Sequence, residues 1–158
     1  MKKLWLVGLV AVILCNCSKE NDGNSGSLPP LPDPDDVCSA MDNINFMTFC
    51  YEKFDANKDG KVSVREAEAV REIDFDKGLS GSLKGIERFP NLEILDCYSY
   101  HFGSGGYYSF SFAELDLRYN RMLKILRLYN CTNLVTLDLS RNTMLEEIEE
   151  YECLSLIH

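Results

Sequence analysis

The sequence predicts an α/β solenoid, in which a helix–loop–helix cap precedes a short array of parallel strands. Two patterns support this prediction. Apolar residues recur at helical spacing before Phe54, whereas after Ala69 a longer frame of leucines repeats at a fixed period. Between these regions, residues 55–66 form a segment rich in oxygen-bearing side chains. The chain has 158 residues, which is enough for one modest domain of this kind.

Residues 1–16 have the pattern of an export signal. Two lysines precede an apolar run from Leu4 to Leu14, which is too short to be a membrane-spanning helix. The following residues, Cys-Asn-Cys, resemble the processing site of bacterial lipoproteins, in which the cysteine after the cut is acylated. The resemblance implies a lipid on Cys17 and an exported chain anchored at the outer membrane or cell surface. An ordinary cleaved secretion signal is the alternative.

Residues 17–36 are predicted to be a lipidated, flexible tether. Glycine, serine, proline and acidic residues dominate this stretch, and they cannot bury enough apolar surface to offset the entropy lost on ordering. Such a linker holds a folded part away from a membrane surface. The formal net charge of the chain is −9, so we expect repulsion from phosphate backbones and no nucleic-acid partner.

Residues 37–69 are predicted to form the cap. Apolar side chains recur there at the spacing of one helix face, which predicts a helix over residues 43–54. These side chains are Ile44, Met47, Tyr51 and Phe54. Later in the cap, Ser63 and Glu66 have the spacing of a capping box, which predicts the start of a second helix.

The segment between the two predicted helices, residues 55–66, places oxygen donors at alternating positions. Gly60 at its sixth position permits a sharp turn, and Glu66 at its twelfth can supply two oxygens at once. The pattern resembles the calcium-binding loop of the EF-hand family. The resemblance implies that one Ca²⁺ is held by Asp55, Asn57, Asp59, the Lys61 carbonyl, Ser63 through a water molecule, and Glu66. The alternative is an acidic turn before a capped helix that binds no metal.

The position of this loop predicts a role as a cap. EF-hand loops usually pair with a second loop through their eighth residue, which is Val62 here. The sequence offers no such second loop, because Gly85 stands at the position where it would need its closing glutamate. Glu66 lies only four residues before Val70, where the first repeat begins, so about one helical turn separates them. We therefore expect the loop to cover the first repeat and calcium to stabilise the array.

Residues 70–158 repeat a frame of the form LxxLxL. Copies are 22 residues apart at first and 11 apart from Phe112 onward, a periodicity typical of solenoids. The copies begin at Val70, Leu92, Phe112, Leu123, Leu134 and, in weaker form, Leu145. Together with the run Leu-Asp-Leu-Ser-Arg-Asn at residues 137–142, they resemble bacterial leucine-rich repeats of the internalin-like, cysteine-containing type. The resemblance implies short parallel strands, which residues 101–111 interrupt as an insertion.

Five cysteines follow the lipidation site, at positions 38, 50, 97, 131 and 153. An odd number in an exported chain cannot be fully paired. Cys97, Cys131 and Cys153 fall at repeat positions, and we expect them to be buried thiols, because free cysteine packs as a small apolar residue. Whether Cys38 and Cys50 form a disulfide stays open.

Alternate repeats place tyrosines at equivalent outward positions, namely Tyr98, Tyr129 and Tyr151. This column is a candidate binding face, since tyrosine is favoured at protein interfaces. The alternative is that tyrosine simply suits strands. Tyr107 and Tyr108 in the insertion are a second candidate, and a tolerated loop is the alternative there.

Catalytic signatures are absent from the sequence, which has two histidines and no nucleophile elbow, zinc-protease helix or phosphate-binding loop. We therefore expect no enzymatic activity. The expected function is that of a calcium-binding, lipid-anchored surface protein whose repeats bind a protein or glycan ligand. A calcium sensor or buffer, and a truncated repeat protein with no independent role, are the alternatives.

Overall fold

Both α-helices of the described chain lie between the first strand and the remaining six strands. A computed structural model describes residues 2–5, 28–75, 78–98 and 110–153. The helices are α1 (Ile44–Phe54) and α2 (Val64–Ala69), with 3₁₀ helices at Val37–Ala40 and Ile86–Arg88. The strands are β1 (Lys2–Trp5), β2 (Glu72–Asp74), β3 (Ile94–Cys97), β4 (Glu114–Asp116), β5 (Ile125–Tyr129), β6 (Thr136–Asp138) and β7 (Glu147–Tyr151).

The strands build a β-solenoid of about three turns. They form one sheet in the order β1-β7-β5-β3-β2 and a second sheet made of β4 and β6. Every pairing is parallel except that of β1 with β7. The predicted array of parallel strands is therefore confirmed. The second sheet was not predicted: in the later turns the 11-residue period adds strands alternately to the two sheets.

The inward positions of the repeat frame fill the core. Ile73, Leu95 and Leu126 stand at the same register on β2, β3 and β5, and none has solvent-exposed surface. Adjacent strands lie about 4.8 Å apart, so each side chain packs directly on its neighbours in the next turn. Near the other end of the array, Leu137 and Leu145 are only partly buried. Among the described residues, the leucines of the array are therefore more deeply buried beside the cap than in the last turns.

Two buried asparagines tie successive turns together. The Nδ2 atom of Asn120 donates to the carbonyl oxygens of Ile86 at 2.9 Å and Phe89 at 3.0 Å. One turn later, Asn142 donates in the same way to the carbonyl oxygens of Leu117 at 2.9 Å and Asn120 at 2.8 Å. Each amide satisfies carbonyls that would otherwise be buried without a donor, which is the reason for asparagine at these positions.

Cysteines take the corresponding place on the other side of the solenoid. The Cys153 thiol donates to the Leu128 carbonyl of the preceding turn at 3.5 Å, and the Cys131 thiol to the Tyr129 carbonyl at 3.6 Å. Cys97 and Cys131 are buried, Cys153 is half-buried, and all three are free thiols. Burial raises the pKa of Cys97 far above its ordinary value. The expectation of buried thiols at these repeat positions is therefore confirmed for two of the three, with Cys153 less covered.

Cys38 and Cys50 are also free and buried. Cys38 lies in the 3₁₀ helix before α1, and Cys50 lies within α1. Burial, and next the nearby Cys38 thiol, raise the pKa of Cys50 above its ordinary value. The sequence left open whether these two cysteines form a disulfide. In the structure both are free thiols.

Most of the predicted insertion of residues 101–111 is not described by the structure. Residues 99–109 lie outside the described part of the chain, and the candidate residues Tyr107 and Tyr108 are among them. Phe110 is fully buried, and the Ser111 amide donates to the Leu79 carbonyl at 3.2 Å. The last two residues assigned to the insertion, 110 and 111, therefore contact the array.

Candidate calcium loop and interaction face

The loop of residues 55–66 begins where α1 ends and closes where α2 begins. Asp55 is the C-terminal cap of α1, and Ser63 is the N-terminal cap of α2. Ser63 Oγ accepts from the Glu66 amide at 3.3 Å, while the Glu66 carboxylate accepts from the Ser63 amide at 2.9 Å. This is the predicted capping box, and it is confirmed.

Inside the loop, acidic and amide side chains accept hydrogen bonds from the backbone. The Asp55 carboxylate accepts from the amides of Asp59 at 3.2 Å and Gly60 at 2.9 Å, and Asn57 Oδ1 accepts from the Asp59 amide at 2.9 Å. Gly60 has a φ of +84°, so its place in the turn requires the left-handed freedom of glycine. The side-chain oxygens of Asp55 and Asn57, at loop positions 1 and 3, therefore point toward the backbone amides of the turn.

Glu66 joins the two ends of the loop. Its Oε1 atom accepts from the Ala56 amide at 3.0 Å and from the Asn57 amide at 3.3 Å. The amide and then the hydroxyl of Ser63, followed by these two amides, lower the pKa of Glu66 below its ordinary value of 4.5. A carboxylate from position 12, ionised at neutral pH, therefore lies beside positions 2 and 3.

The side chains of the loop are of the types that bind a hard cation, but their oxygens do not surround a common centre. Among the described residues, no three carboxylate, thiol or imidazole groups form a cluster that could hold a metal ion. The reason is visible in the hydrogen bonds, since the carboxylates of Asp55, Asp59 and Glu66 each bind loop amides. Three carboxylates, one amide oxygen and one hydroxyl in a closed twelve-residue loop are the ligand types that Ca²⁺ prefers. Calcium binding at the six predicted positions stays a prediction.

Val62 at loop position 8 pairs with the segment just before the cap. Its carbonyl accepts from the Val37 amide at 2.9 Å, and its amide donates to the Asp36 carboxylate at 3.2 Å. The hydrogen-bond partners of the Val62 backbone are therefore residues 36 and 37, and no second loop among the described residues pairs with it. Because Val62 has no exposed surface, these bonds satisfy backbone groups that water cannot reach.

The end of the predicted tether packs onto the cap. Asp36 is 6% exposed, and its carboxylate also accepts from the Cys38 amide at 2.9 Å and the Tyr51 hydroxyl at 2.7 Å. Asp33 forms an ion pair of 2.9 Å with Lys61 of the loop, which lowers the pKa of the Asp33 carboxyl. Ordered structure thus begins before the predicted boundary at residue 36.

Phe75, the residue after β2, joins the cap to the array. Its ring centroid lies 6.0 Å from that of Phe46 and 4.8 Å from that of Phe49, both on α1. On its other side, the ring of Phe110 lies at 5.9 Å. Phe75 is 1% exposed, so this aromatic cluster is a continuous part of the core.

A second link between cap and array runs through Asn43. This residue caps the start of α1, where its side chain accepts from the Asn45 amide. Its Nδ2 atom donates to the carbonyl oxygens of Ser80 at 2.9 Å and Ser82 at 2.7 Å. One side chain therefore fixes both the beginning of the helix and the loop that follows β2.

The predicted column of tyrosines is present on the larger sheet. The ring centroids of Tyr98 and Tyr129 are 4.3 Å apart, and those of Tyr129 and Tyr151 are 6.2 Å apart. Burial, and next the hydrogen bond to Glu149, raise the pKa of Tyr129 to about 12. The stack is confirmed as geometry, and its role in binding stays a prediction.

A ladder of three charged residues runs beside the tyrosines, at outward positions that the repeat frame aligns. Asp96, Arg127 and Glu149 stand at the same register on β3, β5 and β7. Arg127 contacts Asp96 at 3.0 Å and Glu149 at 3.4 Å. Burial raises the pKa of Asp96 despite the arginine. The repeat frame predicts that these three residues are neighbours on the outer face, whereas the two ion pairs are seen only in the structure.

Comparisons with protein-family models, curated proteins and solved structures find no match for this chain. Within the described ranges, no helix has the length and apolar character needed to cross a membrane.

The loop makes the stability of the calcium-free protein depend on pH. The folded pKa of Glu66 is lowered, so its stabilising effect is complete above the ordinary value of 4.5 and is lost as pH falls through the folded value. We expect the free energy of unfolding in chelator to fall between about pH 5 and pH 3, and to fall less steeply in Glu66→Gln. Urea unfolding across this range measures the effect. Glu68→Gln, an exposed residue of the same helix, should keep the original slope, and equal slopes in all three proteins would contradict the assignment.

Proposed function

We propose that the chain is an exported lipoprotein, anchored through Cys17, in which an EF-hand loop binds one Ca²⁺ and leucine-rich repeats bind a protein or glycan ligand. The observation that carries the proposal is the closed loop of residues 55–66, which leads through α2 directly into the first strand of the array. The protein acts as a non-enzymatic interaction module whose stability depends on calcium.

Calcium acts on the cap in this proposal. The ion would be held by Asp55, Asn57, Asp59, the Lys61 carbonyl, Ser63 and Glu66. Its positive charge offsets three carboxylates that repel one another in the same loop. Because the ion binds the folded loop and not the unfolded chain, mass action stabilises every element that unfolds together with the loop.

The interaction face is the outer side of the larger sheet. The stacked Tyr98, Tyr129 and Tyr151 present aromatic area beside the Asp96–Arg127–Glu149 ladder. Tyrosine and arginine are both enriched at the centre of protein interfaces, where a few such residues supply most of the binding energy. Phe75 packs against both the cap and the array, which supports the proposal that calcium bound in the cap also stabilises the sheet that carries this face.

Calorimetric titration of residues 17–158 with CaCl₂ tests the proposal. We expect one binding site, and weaker binding of MgCl₂, because Mg²⁺ gives up its water reluctantly and demands a stricter geometry. Thermal unfolding of the same protein should shift upward with Ca²⁺ and return on addition of EGTA. No heat of binding together with an unchanged melting temperature would contradict the proposal.

A further inference from the structure

The far edge of the larger sheet accepts an added strand. One side of β7 pairs in parallel with β5 over residues 147–151. Its other side pairs antiparallel with β1, with Lys2 opposite Glu150, Lys3 opposite Glu149, Leu4 opposite Ile148 and Trp5 opposite Glu147. β7 therefore forms backbone pairs on both sides, and its outer partner runs against the direction of the array.

This edge is strongly acidic. Residues 146–152 read Glu-Glu-Ile-Glu-Glu-Tyr-Glu, so five of these seven residues are glutamates. Arg127 on β5 contacts Glu149 from the inner side. On the outer side, the register sets two lysines opposite two glutamates. Opposite charges at directly paired positions stabilise a sheet, so charge selects a basic strand for this edge.

The added strand belongs to the segment that the proposed processing removes. Cleavage before Cys17 separates Lys2–Trp5 from the folded part of the chain, and the outer side of β7 then loses its partner. An unpaired strand edge exposes a row of amides and carbonyls, which is a template for another chain. This step rests on the proposed lipoprotein signal.

We propose that in the mature protein the outer edge of β7 binds an extended, lysine-containing strand of a partner protein by antiparallel pairing. A second copy of this chain is the wrong occupant, because β7 paired with β7 would set glutamates against glutamates. The partner is instead a basic strand with an apolar residue opposite Ile148, as β1 has in Leu4.

Trp5 supplies the measurement, because it is the one tryptophan of the chain and is absent from residues 17–158. A peptide with the sequence of residues 1–8 is titrated with the 17–158 protein while its tryptophan fluorescence anisotropy is followed. We expect saturable one-to-one binding. Replacing both lysines of the peptide with glutamate should weaken binding about tenfold, and equal affinity for the two peptides would overturn the proposal.

Backbone methylation separates strand pairing from simple adhesion of an apolar peptide. In an edge strand, alternate amides face the partner and the others face solvent. Peptides N-methylated at positions 2 and 4, or at positions 3 and 5, are compared. One of the two should lose binding and the other should keep it within about twofold. Equal loss in both, or retention in both, would overturn the proposal.

Variants of the protein complete the test. Glu150→Lys should weaken peptide binding about tenfold, whereas Glu114→Lys, at an exposed position on β4 of the other sheet, should leave it unchanged. Full-length protein, in which β1 occupies the edge, should not bind the peptide, and binding as tight as that of the 17–158 protein would contradict the proposal. Because the shortened protein is produced without residues 1–16, these results do not depend on calcium or on processing in cells. The mass of the exported protein tests the processing separately.

Discussion

Replacement of Glu66 with glutamine should abolish the rise in melting temperature that calcium produces. Glutamine keeps the size of the side chain but removes one negative charge and the bidentate carboxylate at position 12. In the wild-type protein, Ca²⁺ at a hundred times its dissociation constant should add about 2.7 kcal/mol to the free energy of unfolding. For a domain of this size that corresponds to a shift of roughly 10 °C.

The matched control is Glu68→Gln. Glu68 lies on the same helix and is exposed, and its substitution removes the same charge two residues away. Differential scanning calorimetry with and without EGTA should therefore show the full calcium shift in Glu68→Gln and almost none in Glu66→Gln. A calcium shift of equal size in both variants would mean that general charge, and not the loop, produces the effect.

Replacement of Phe75 with alanine should lower the free energy of unfolding by about 3–5 kcal/mol, the typical cost of removing a buried phenylalanine ring. The ring lies within 6.0 Å of the rings of Phe46, Phe49 and Phe110, centroid to centroid. Its removal leaves a cavity between α1 and the first turn of the array. Collapse of the cavity would require the cap to move, because Phe46 and Phe110 on either side of it are fully buried.

Urea unfolding followed by circular dichroism measures this loss. Val135→Ala is the control, since Val135 is 50% exposed and its truncation should change stability by about 0.5 kcal/mol or less. If Phe75→Ala were as mild as Val135→Ala, the cap and the array would not share a core, and calcium in the loop could not stabilise the repeats.

Local features of the fold were predictable because their signals lie close together in the sequence. The helix α1 follows from apolar spacing, and the start of α2 follows from Ser63 and Glu66, three residues apart. The register of β3 with β5 follows from the repeat frame, since shifting it by one residue would turn Leu126 out of the core. The tyrosine column follows from the same frame.

Contacts between distant segments were not predictable. Asp36 lies in a stretch of prolines and aspartates that has the composition of a linker, yet it accepts a hydrogen bond from Val62. Nothing local marks that bond, which joins residues 26 positions apart. The same holds for Phe110, which follows a glycine-rich stretch and is fully buried. The arrangement in two sheets was missed because an 11-residue half-turn is compatible with either a strand or a helix on the second side.

Hydrogen exchange of the 17–158 protein, measured with and without calcium, shows whether an ion in the loop stabilises the strands that follow it. Calcium should slow amide exchange in the loop of residues 55–66 and also in β2 and β3, which form the first two layers of the larger sheet. Slower exchange confined to the loop, or no change at all, would contradict this stabilisation.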